Sequence, residues 1–567
     1  MRKLIYSYDI IGEKKGLIQM KRAIPLGVVD YEKLRKEDYY FADKSMMIQD
    51  FLKRKNAVTL ITRPRRFGKT LNMSMMAEFF DITKDSKEIF KDTNIMKTEY
   101  AAHMNQYPMI FISFANAKGN KKELVTSIKK SLFNLYRIHD CVLKNLDYYD
   151  DILKKDIEKN LIQFDDGNLS NITDCLSFLM SRMERYYGKK VMVFIDEYDT
   201  PFIEAHVGGF YDEIRSGLAG MLHNALKTST SLQYAMMTGI QRVAKENIFS
   251  DLNNLVVCTV KDEEYSEYFG FTEKETEELL HYYDLELNEE VKRMYDGYRF
   301  GSKDIYNPWS IVNYASKREL EPYWVNTSSN QMIRRAMRNR DRTFNNGYEY
   351  LIQNGYLETR IQMMTSFFEI NTTASLWGLF VNAGYLTIAD TISLERSRYV
   401  VRIPNQEVQQ EFQNLTSYYL HMPDTVLDDL FDALRYKEKE NFQNAYEQML
   451  MMFPSYYDLK DENSYHVLML GMCAWMGNEY EIISNREEGK GRCDLILKAR
   501  KSNLPSYIME FKYLKKKADQ EELSIAARQA VKQIAEKQYD ADIKGDVIYI
   551  GLAHHQKDVA VEWEEIE

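Results

Sequence analysis

Cysteine, proline and glycine are all scarce in this chain of 567 residues, at 5, 10 and 25 copies. The cysteines (Cys141, Cys175, Cys258, Cys473, Cys493) are odd in number, widely spaced and free of any C-x-x-C pair. That excludes a disulfide framework and a zinc ribbon and leaves buried apolar thiols. With no Ser- or Pro-rich linker and no internal repeat, the domains are expected to abut directly. No apolar run approaches the ~18 to 20 residues of a membrane span, and the opening residues Met1–Asp9 lack the apolar stretch of a signal peptide. The expectation is a cytoplasmic chain without a membrane partner. Net positive charge is missing as well: the formal charge is −10. A protein that coats nucleic acid through a global positive field is thereby excluded. Any such contact would be a local basic groove, for which Lys512-Tyr513-Leu514-Lys515-Lys516-Lys517 is a candidate, although such runs are commonly just solvated faces.

What is present is globular: 45% apolar and 28% charged residues, over a length that implies three or four cores. Met20-Lys21-Arg22-Ala23-Ile24-Pro25 reads as a natural beginning, which makes the segment before it an extension or an upstream start. From about 57 to 260, β-branched apolar runs (Val58–Ile61, Met109–Ile112, Val191–Ile195, Tyr234–Met237) alternate with helical stretches. Buried parallel strands between helices give that pattern, so the fold class is α/β. From about 315 to 460 the apolar period is mostly 3.6, as in Val426-Leu427-Leu430-Leu434. After 462 the order reads helix (464–476), strand (480–484), strand (493–498), strand (507–511), helix (518–538), strand (546–551). The expected division is a lead-in at 1–56, an α/β core at 57–260, a helical middle at 261–460 and a last domain at 461–567.

Chemistry concentrates at two places. The strand Val58–Ile61 runs into Arg63-Pro64-Arg65-Arg66-Phe67-Gly68-Lys69-Thr70 and then a helix. Strand, loop, Gly-Lys-Thr and helix form a phosphate-binding context. Backbone N–H groups of Arg66, Phe67 and Gly68 and the helix start hold phosphate oxygens, Lys69 neutralises charge, and the Thr70 hydroxyl ligates Mg²⁺. Arg63 departs from the general loop, which has glycine there. The strand Val191–Ile195 then delivers Asp196 and Glu197, the first to hold Mg²⁺ and the second to polarise the attacking water. The strand Leu232–Met237 ends in Thr238, a candidate γ-phosphate sensor, with Arg242 close behind as a contact to phosphate in its own subunit or a neighbour's, or as a surface salt bridge.

At the other end, Asp494 enters one expected strand and Glu510 and Lys512 share a face of the next, because side chains alternate along a strand. Two carboxylates can then converge on divalent cations while Lys512 orients or helps deprotonate water.

The phrases Tyr40-Phe41-Ala42-Asp43-Lys44-Ser45, Arg63–Thr70, Asp196-Glu197-Tyr198-Asp199, Thr238-Gly239-Ile240 and Tyr306-Asn307-Pro308-Trp309-Ser310 resemble the bacterial AAA-ATPase-like family over roughly residues 20–315. In that family an Arg-Pro-Arg-Arg loop is usual. The resemblance implies nucleotide binding, with ATP as the cofactor. Residues 460–555 are similar to the PD-(D/E)xK nuclease module, with an αβββαβ restriction-endonuclease-like fold and Mg²⁺ or Mn²⁺ as metal. It implies a further acid from the core helix, best fitted by Glu462 with Glu479 and Glu487 as alternatives, and a polar residue near the metal, Gln533. The segments Tyr295–Trp309 and Leu379–Thr387 are candidate winged-helix elements, or ordinary helical packing. The leading expectation is an ATP-coupled nuclease with nucleic acid, DNA before RNA, as partner and defence against foreign DNA as its setting. An arginine acting between subunits would require a homo-oligomer. The rival is a nucleotide-gated binding, scaffold or signalling ATPase whose last domain does not cut.

Overall fold

The computed structural model describes residues 21–163, 168–241, 254–324, 329–337, 340–363, 372–409, 411–412, 415, 424–452, 465, 468–469, 472–473, 476, 479–484, 487–488, 491–540 and 543–566. The first sheet contains β1 (Val58–Thr62), β2 (Met109–Ser113), β3 (Val191–Asp196), β4 (Leu232–Gly239) and β5 (Leu255–Cys258), all parallel, in the order β2-β3-β4-β1-β5. Every residue of β1 and β3 is buried, as expected for strands covered by helices on both faces. The order places the ends of β1, β3 and β4 side by side, where the three expected polar elements meet. Helices Tyr31–Lys36 and Met46–Arg54 bury Tyr31, Leu34, Ile48 and Phe51 in the same core, so the described part of the expected lead-in belongs to this first α/β unit.

A small sheet follows, β6 (Phe271–Thr272), β7 (Tyr298–Phe300) and β8 (Lys303–Tyr306), in the order β6-β8-β7. The middle region is not purely helical. Helix Arg342–Asn354, β9 (Tyr356–Arg360), helix Thr373–Ala383, β10 (Thr387–Ser393) and β11 (Arg398–Arg402) succeed one another, with β11 antiparallel to both β10 and β9. Strand order β10-β11-β9, with β9 between the two helices, is compatible with the winged-helix element expected around Leu379–Thr387, whereas Tyr295–Trp309 contributes instead to β7 and β8. The 3.6-residue period concealed these strands because they are short. Helix Thr373–Ala383 is buried from Ser375 to Ala383 among Phe344, Tyr348, Ile333 and Met337. A hydrophobic helix of this kind can only serve as core.

The last sheet comprises β12 (Tyr480–Ser484), β15 (Leu495–Ala499), β16 (Ser506–Tyr513), β17 (Val547–His555) and β18 (Asp558–Ile566), in the order β12-β15-β16-β17-β18; the short pair β13 (Glu487–Glu488) and β14 (Gly491–Arg492) lies between the first two in sequence. Only β16 and β17 run parallel, bridged by helix Gln520–Lys537. Strand β18 extends beyond the order expected from sequence. Helices Asp424–Arg435 and Lys439–Met452 pack their Leu430, Leu434, Tyr446 and Leu450 against this sheet. The C-terminal core therefore begins by residue 424, earlier than the expected boundary near 460. Among the described residues no helix is long and apolar enough to cross a membrane.

Two candidate functional sites

Helix Lys69–Phe80 starts from Gly68 at φ 79°, and Arg66 is also left-handed at φ 69°. Two left-handed residues curl the loop over the helix start, the geometry that aims N–H groups inward. Lys69 is buried, donating to the carbonyls of Arg63 (3.2 Å) and Pro64 (3.0 Å) and lying 3.5 Å from Glu197 Oε1. Asp196 accepts three hydroxyls: Thr70 (2.8 Å), Thr238 (2.6 Å) and Ser113 (3.1 Å). Burial, then the neighbouring Glu197, raises the Asp196 carboxyl above its ordinary range. Burial also pushes Glu197 up, but Lys69, Arg65 and the Thr200 hydroxyl together outweigh it and leave Glu197 below its ordinary value. Lys69, Thr70, Asp196, Glu197 and Thr238 are thus brought together. Arg242 lies outside the described residues.

Two members were missed from sequence. Ser113 ends β2 beside Asp196, just as Thr238 ends β4 on the other side; a hydroxyl at the close of an apolar strand was the available signal. Asp199 is fully buried and accepts the backbone N–H groups of Ile240 (2.8 Å) and Gln241 (3.1 Å), while the Tyr198 hydroxyl donates to the Gln241 carbonyl (2.8 Å). Burial and Glu197 push Asp199 up to about 7. This pair fastens the segment that carries Thr238.

The arginines of the loop have separate tasks. Arg63 turns away from the phosphate position: its guanidinium donates to the carbonyls of Thr62 (2.9 Å), Cys258 (3.2 Å) and Glu264 (3.2 Å) and lies over the rings of Phe269 and Phe300. It ties β1 to the segment after β5. Arg66 donates to the Tyr323 carbonyl (2.8 Å) and lies 4.4 Å from the Trp309 ring centroid. Phe67 is buried between Tyr298 and Phe300, so only its backbone is placed to meet phosphate. A cavity of ≈ 370 Å³ opens from Gly68, Lys69 and Thr70 toward Pro25, Val28, Phe41, Leu279 and Trp309. Its apolar end suits a nucleobase, and the polar end the phosphates. Lys44 donates to Glu275 and to the Glu267 carbonyl (both 2.6 Å), and Asp43 accepts from the backbone of Ser45 and Asn94. Those two fasten the N-terminal wall of the cavity.

In the C-terminal unit the register pairs Leu495 with Met509, so Asp494, just before β15, falls beside Glu510. Asp494 accepts the Phe511 N–H at 2.9 Å. Lys512 lies 3.3 Å from Glu510 Oε1, and Gln533, on helix Gln520–Lys537, hydrogen-bonds the same oxygen. Glu510 Oε2 is buried with no hydrogen-bond partner among the described residues. Burial, then Asp494, raises the Glu510 carboxyl to about 7 against the pull of Lys512. An orphaned carboxylate oxygen beside a second acid is a donor set that fits a hard divalent cation. Thr70 and Asp196 likewise offer adjacent oxygens that fit Mg²⁺. Glu479 is committed to Arg435 (2.8 Å) and supplies no metal ligand here. Glu462 lies outside the described residues, and Glu487 is placed in β13. Among the described residues, no group of three His, Cys, Asp or Glu side chains converges as a metal cluster.

A parallel sheet with a Gly-Lys-Thr loop and an Asp-Glu strand end, followed by a mixed sheet with Asp and Glu-x-Lys on adjoining strands, defines an ATPase-like unit joined to a nuclease-like one. Accordingly, residues 25–249 match the model for the predicted AAA-ATPase family and residues 460–564 match the PD-(D/E)XK nuclease superfamily: the chain carries these two domains. The chain is also 25% identical over 447 residues to an uncharacterized protein in the vnfD 5' region of Azotobacter chroococcum mcd 1, across 76% of this chain and 78% of that one. That alignment is longer than the two matched segments combined.

Proposed function

We propose that the protein is an ATP-regulated, metal-dependent nuclease that cleaves phosphodiester bonds, with DNA as substrate. The observation that carries the reading is the buried, unpartnered Glu510 Oε2 beside Asp494 and Lys512. Leaving such an oxygen unmet costs free energy, which a bound Mg²⁺ or Mn²⁺ would recover. Asp494 and Glu510 would hold that metal, which supplies charge stabilisation at the scissile phosphate. Lys512 orients the attacking water and takes part in its deprotonation. Gln533 holds the Glu510 carboxylate in place.

At the nucleotide site, Gly68 and the helix start receive the phosphates, and Thr70 and Asp196 would hold Mg²⁺, which offsets phosphate charge. Lys69 exchanges the carbonyls of Arg63 and Pro64 for phosphate oxygens. Glu197, kept ionised by Lys69 and Arg65, polarises water, and Thr238 reads the γ-phosphate position. Coupling to the rest of the chain is supported by contact. A Cβ on Gly384, at the foot of the winged-helix element, would come within 2.9 Å of Pro64, and Trp324 Nε1 donates to the Arg65 carbonyl (3.4 Å). Movement of the phosphate loop would be passed to that element through the Pro64–Gly384 contact. A setting in defence against foreign DNA rests on the pairing of domains alone.

The test is incubation of the purified protein with linear, circular and single-stranded DNA and with RNA, with Mg²⁺ or Mn²⁺, with and without ATP. Cleavage that disappears in Glu510→Ala and changes in Lys69→Ala supports the reading. No cleavage of any substrate rejects it in favour of a nucleotide-gated scaffold.

A further inference from the structure

In the winged-helix element, the helix Thr373–Ala383 is buried and cannot meet a partner. What this element exposes is the outer face of its sheet. Strand β11 places Arg398 opposite Arg360 of β9, Val400 opposite Glu358 and Arg402 opposite Tyr356. Directly paired residues share a face, and the alternate residues Leu357, Tyr399 and Val401 are buried on the other. Three arginines therefore stand on one surface of a sheet anchored from behind, Arg402 with a long bond to the Gly297 carbonyl (3.5 Å). Like charges directly opposite on adjacent strands are destabilising, so the Arg360/Arg398 pair is poorly explained by folding alone. The acids of this face are Glu358, which pairs with Arg398, and Asp390, which accepts the Thr391 N–H at 2.7 Å. Among the described residues Arg360 forms no ion pair.

The hairpin joining β10 and β11 adds a second feature. Its turn runs Leu394-Glu395-Arg396-Ser397, closed by the Ser397 N–H on the Leu394 carbonyl (3.1 Å). Ile392 and Leu394 stand 44% and 70% exposed at the tip, with Arg396 beside them. An apolar tip on an arginine-bearing two-stranded ribbon has the chemistry of a groove probe: arginines neutralise phosphates along the walls, and the apolar side chains enter between them. In a chain of net charge −10 this concentration of arginine runs against the overall composition.

We propose that the outer face of β9 and β11, with the β10–β11 hairpin, is a docking surface for duplex DNA, separate from the Asp494–Glu510 centre. The proposal rests on the nucleic-acid reading above and names duplex as the form that is held.

The experiment measures binding of a fluorescein-labelled duplex to the full-length protein by anisotropy in EDTA, over a series of salt concentrations. The triple variant Arg360→Gln/Arg398→Gln/Arg402→Gln is expected to bind at least about 10-fold more weakly, and to lower the log–log salt slope by about 2 to 3. The exposed pair Ile392→Ser/Leu394→Ser should weaken duplex binding while leaving that slope unchanged. An unaltered thermal midpoint in both variants shows that folding is intact. If the wild type binds duplex and the triple variant binds it equally well, the docking surface is wrong. If single-stranded DNA or RNA competes as well as duplex, the groove assignment is wrong. If the wild type binds no nucleic acid, the functional reading fails together with it.

Discussion

The hydroxyl of Thr70, at the start of the helix after β1, donates to the carboxylate of Asp196, at the end of β3, at 2.8 Å. Residues 126 positions apart in the chain are thus in direct contact, at the adjoining ends of two parallel sheet elements. Replacing Lys69 with Ala removes the buried cation behind this pair. ATP affinity should fall roughly 10- to 100-fold, the range of a lost charge-assisted hydrogen bond, as read by isothermal titration. Unchanged affinity would displace Lys69 from the phosphate site.

Asp199 should separate binding from turnover. Asp199→Ala frees the N–H groups of Ile240 and Gln241 and loosens Thr238 while leaving every side chain of the Arg63–Thr70 loop in place. ATP hydrolysis is expected to fall while ATP affinity changes little, and Asp199→Asn, which keeps an acceptor oxygen, should retain part of the rate. Equal losses in both quantities would make Asp199 a residue of general stability.

Trp309 lines the cavity and carries Arg66 on its face at 4.4 Å. Nucleotide entering there changes the surroundings of the indole. Intrinsic fluorescence should therefore shift on ATP addition, and most of the shift should be lost in Trp309→Phe, with a remainder from Trp324, whose Nε1 donates to the Arg65 carbonyl of the phosphate loop (3.4 Å); an undiminished shift would place the nucleotide away from Trp309.

Glu407, next to the phosphate loop through Trp324 and the charge of Arg66, supplies a pH test of stability. It is buried, accepting from Ser310 Oγ (2.9 Å) and the Trp324 N–H (2.6 Å), and burial raises its carboxyl to about 7. The folded state therefore holds this proton more tightly than the unfolded chain does. Its contribution to stability is full below the unfolded value and is lost as pH rises through about 7. The loss is on the order of 3 kcal/mol. Glu407→Gln should flatten the decline of the thermal midpoint between pH 5 and pH 8, as on the order of one buried charge. A slope equal to that of the wild type would show that Glu407 titrates normally.

Arg63, at the position where the general phosphate loop has its first glycine, has a structural task here. Its guanidinium bonds three carbonyls and covers two rings, so Arg63→Gly should destabilise by on the order of 3 kcal/mol through lost hydrogen bonds and a cavity. Differential scanning calorimetry reads this as a lower thermal midpoint; an unchanged midpoint would contradict the role.

The contrast between what was legible in sequence and what was not follows from range. Strands such as Val58–Thr62 and Val191–Asp196 announce themselves because burial on both faces demands an unbroken apolar run. Their terminal polar residues then mark the site. Asp494, Glu510 and Lys512 were readable because the strand order brings them together, whereas Gln533, on a helix, was reached only through the resemblance to the nuclease module. Ser113 and Asp199 act through hydrogen bonds to partners 83 and about 41 residues away, which no local pattern encodes. The strands β9, β10 and β11 were hidden for a different reason. They are short, half-exposed and embedded among helices whose period dominates the segment. The packing of helices Asp424–Arg435 and Lys439–Met452 onto the last sheet was equally invisible, since an apolar stripe does not name the surface it will cover.

The central claim is tested most directly by the rate of Mg²⁺- or Mn²⁺-dependent DNA cleavage by full-length protein, compared with Glu510→Ala at matched fold and concentration. The account predicts cleavage by the wild type and a loss of at least roughly 100-fold in the variant, the scale of removing one group that stabilises charge in a transition state. Cleavage of equal rate in Glu510→Ala, or none by the wild type on any DNA substrate, would contradict it.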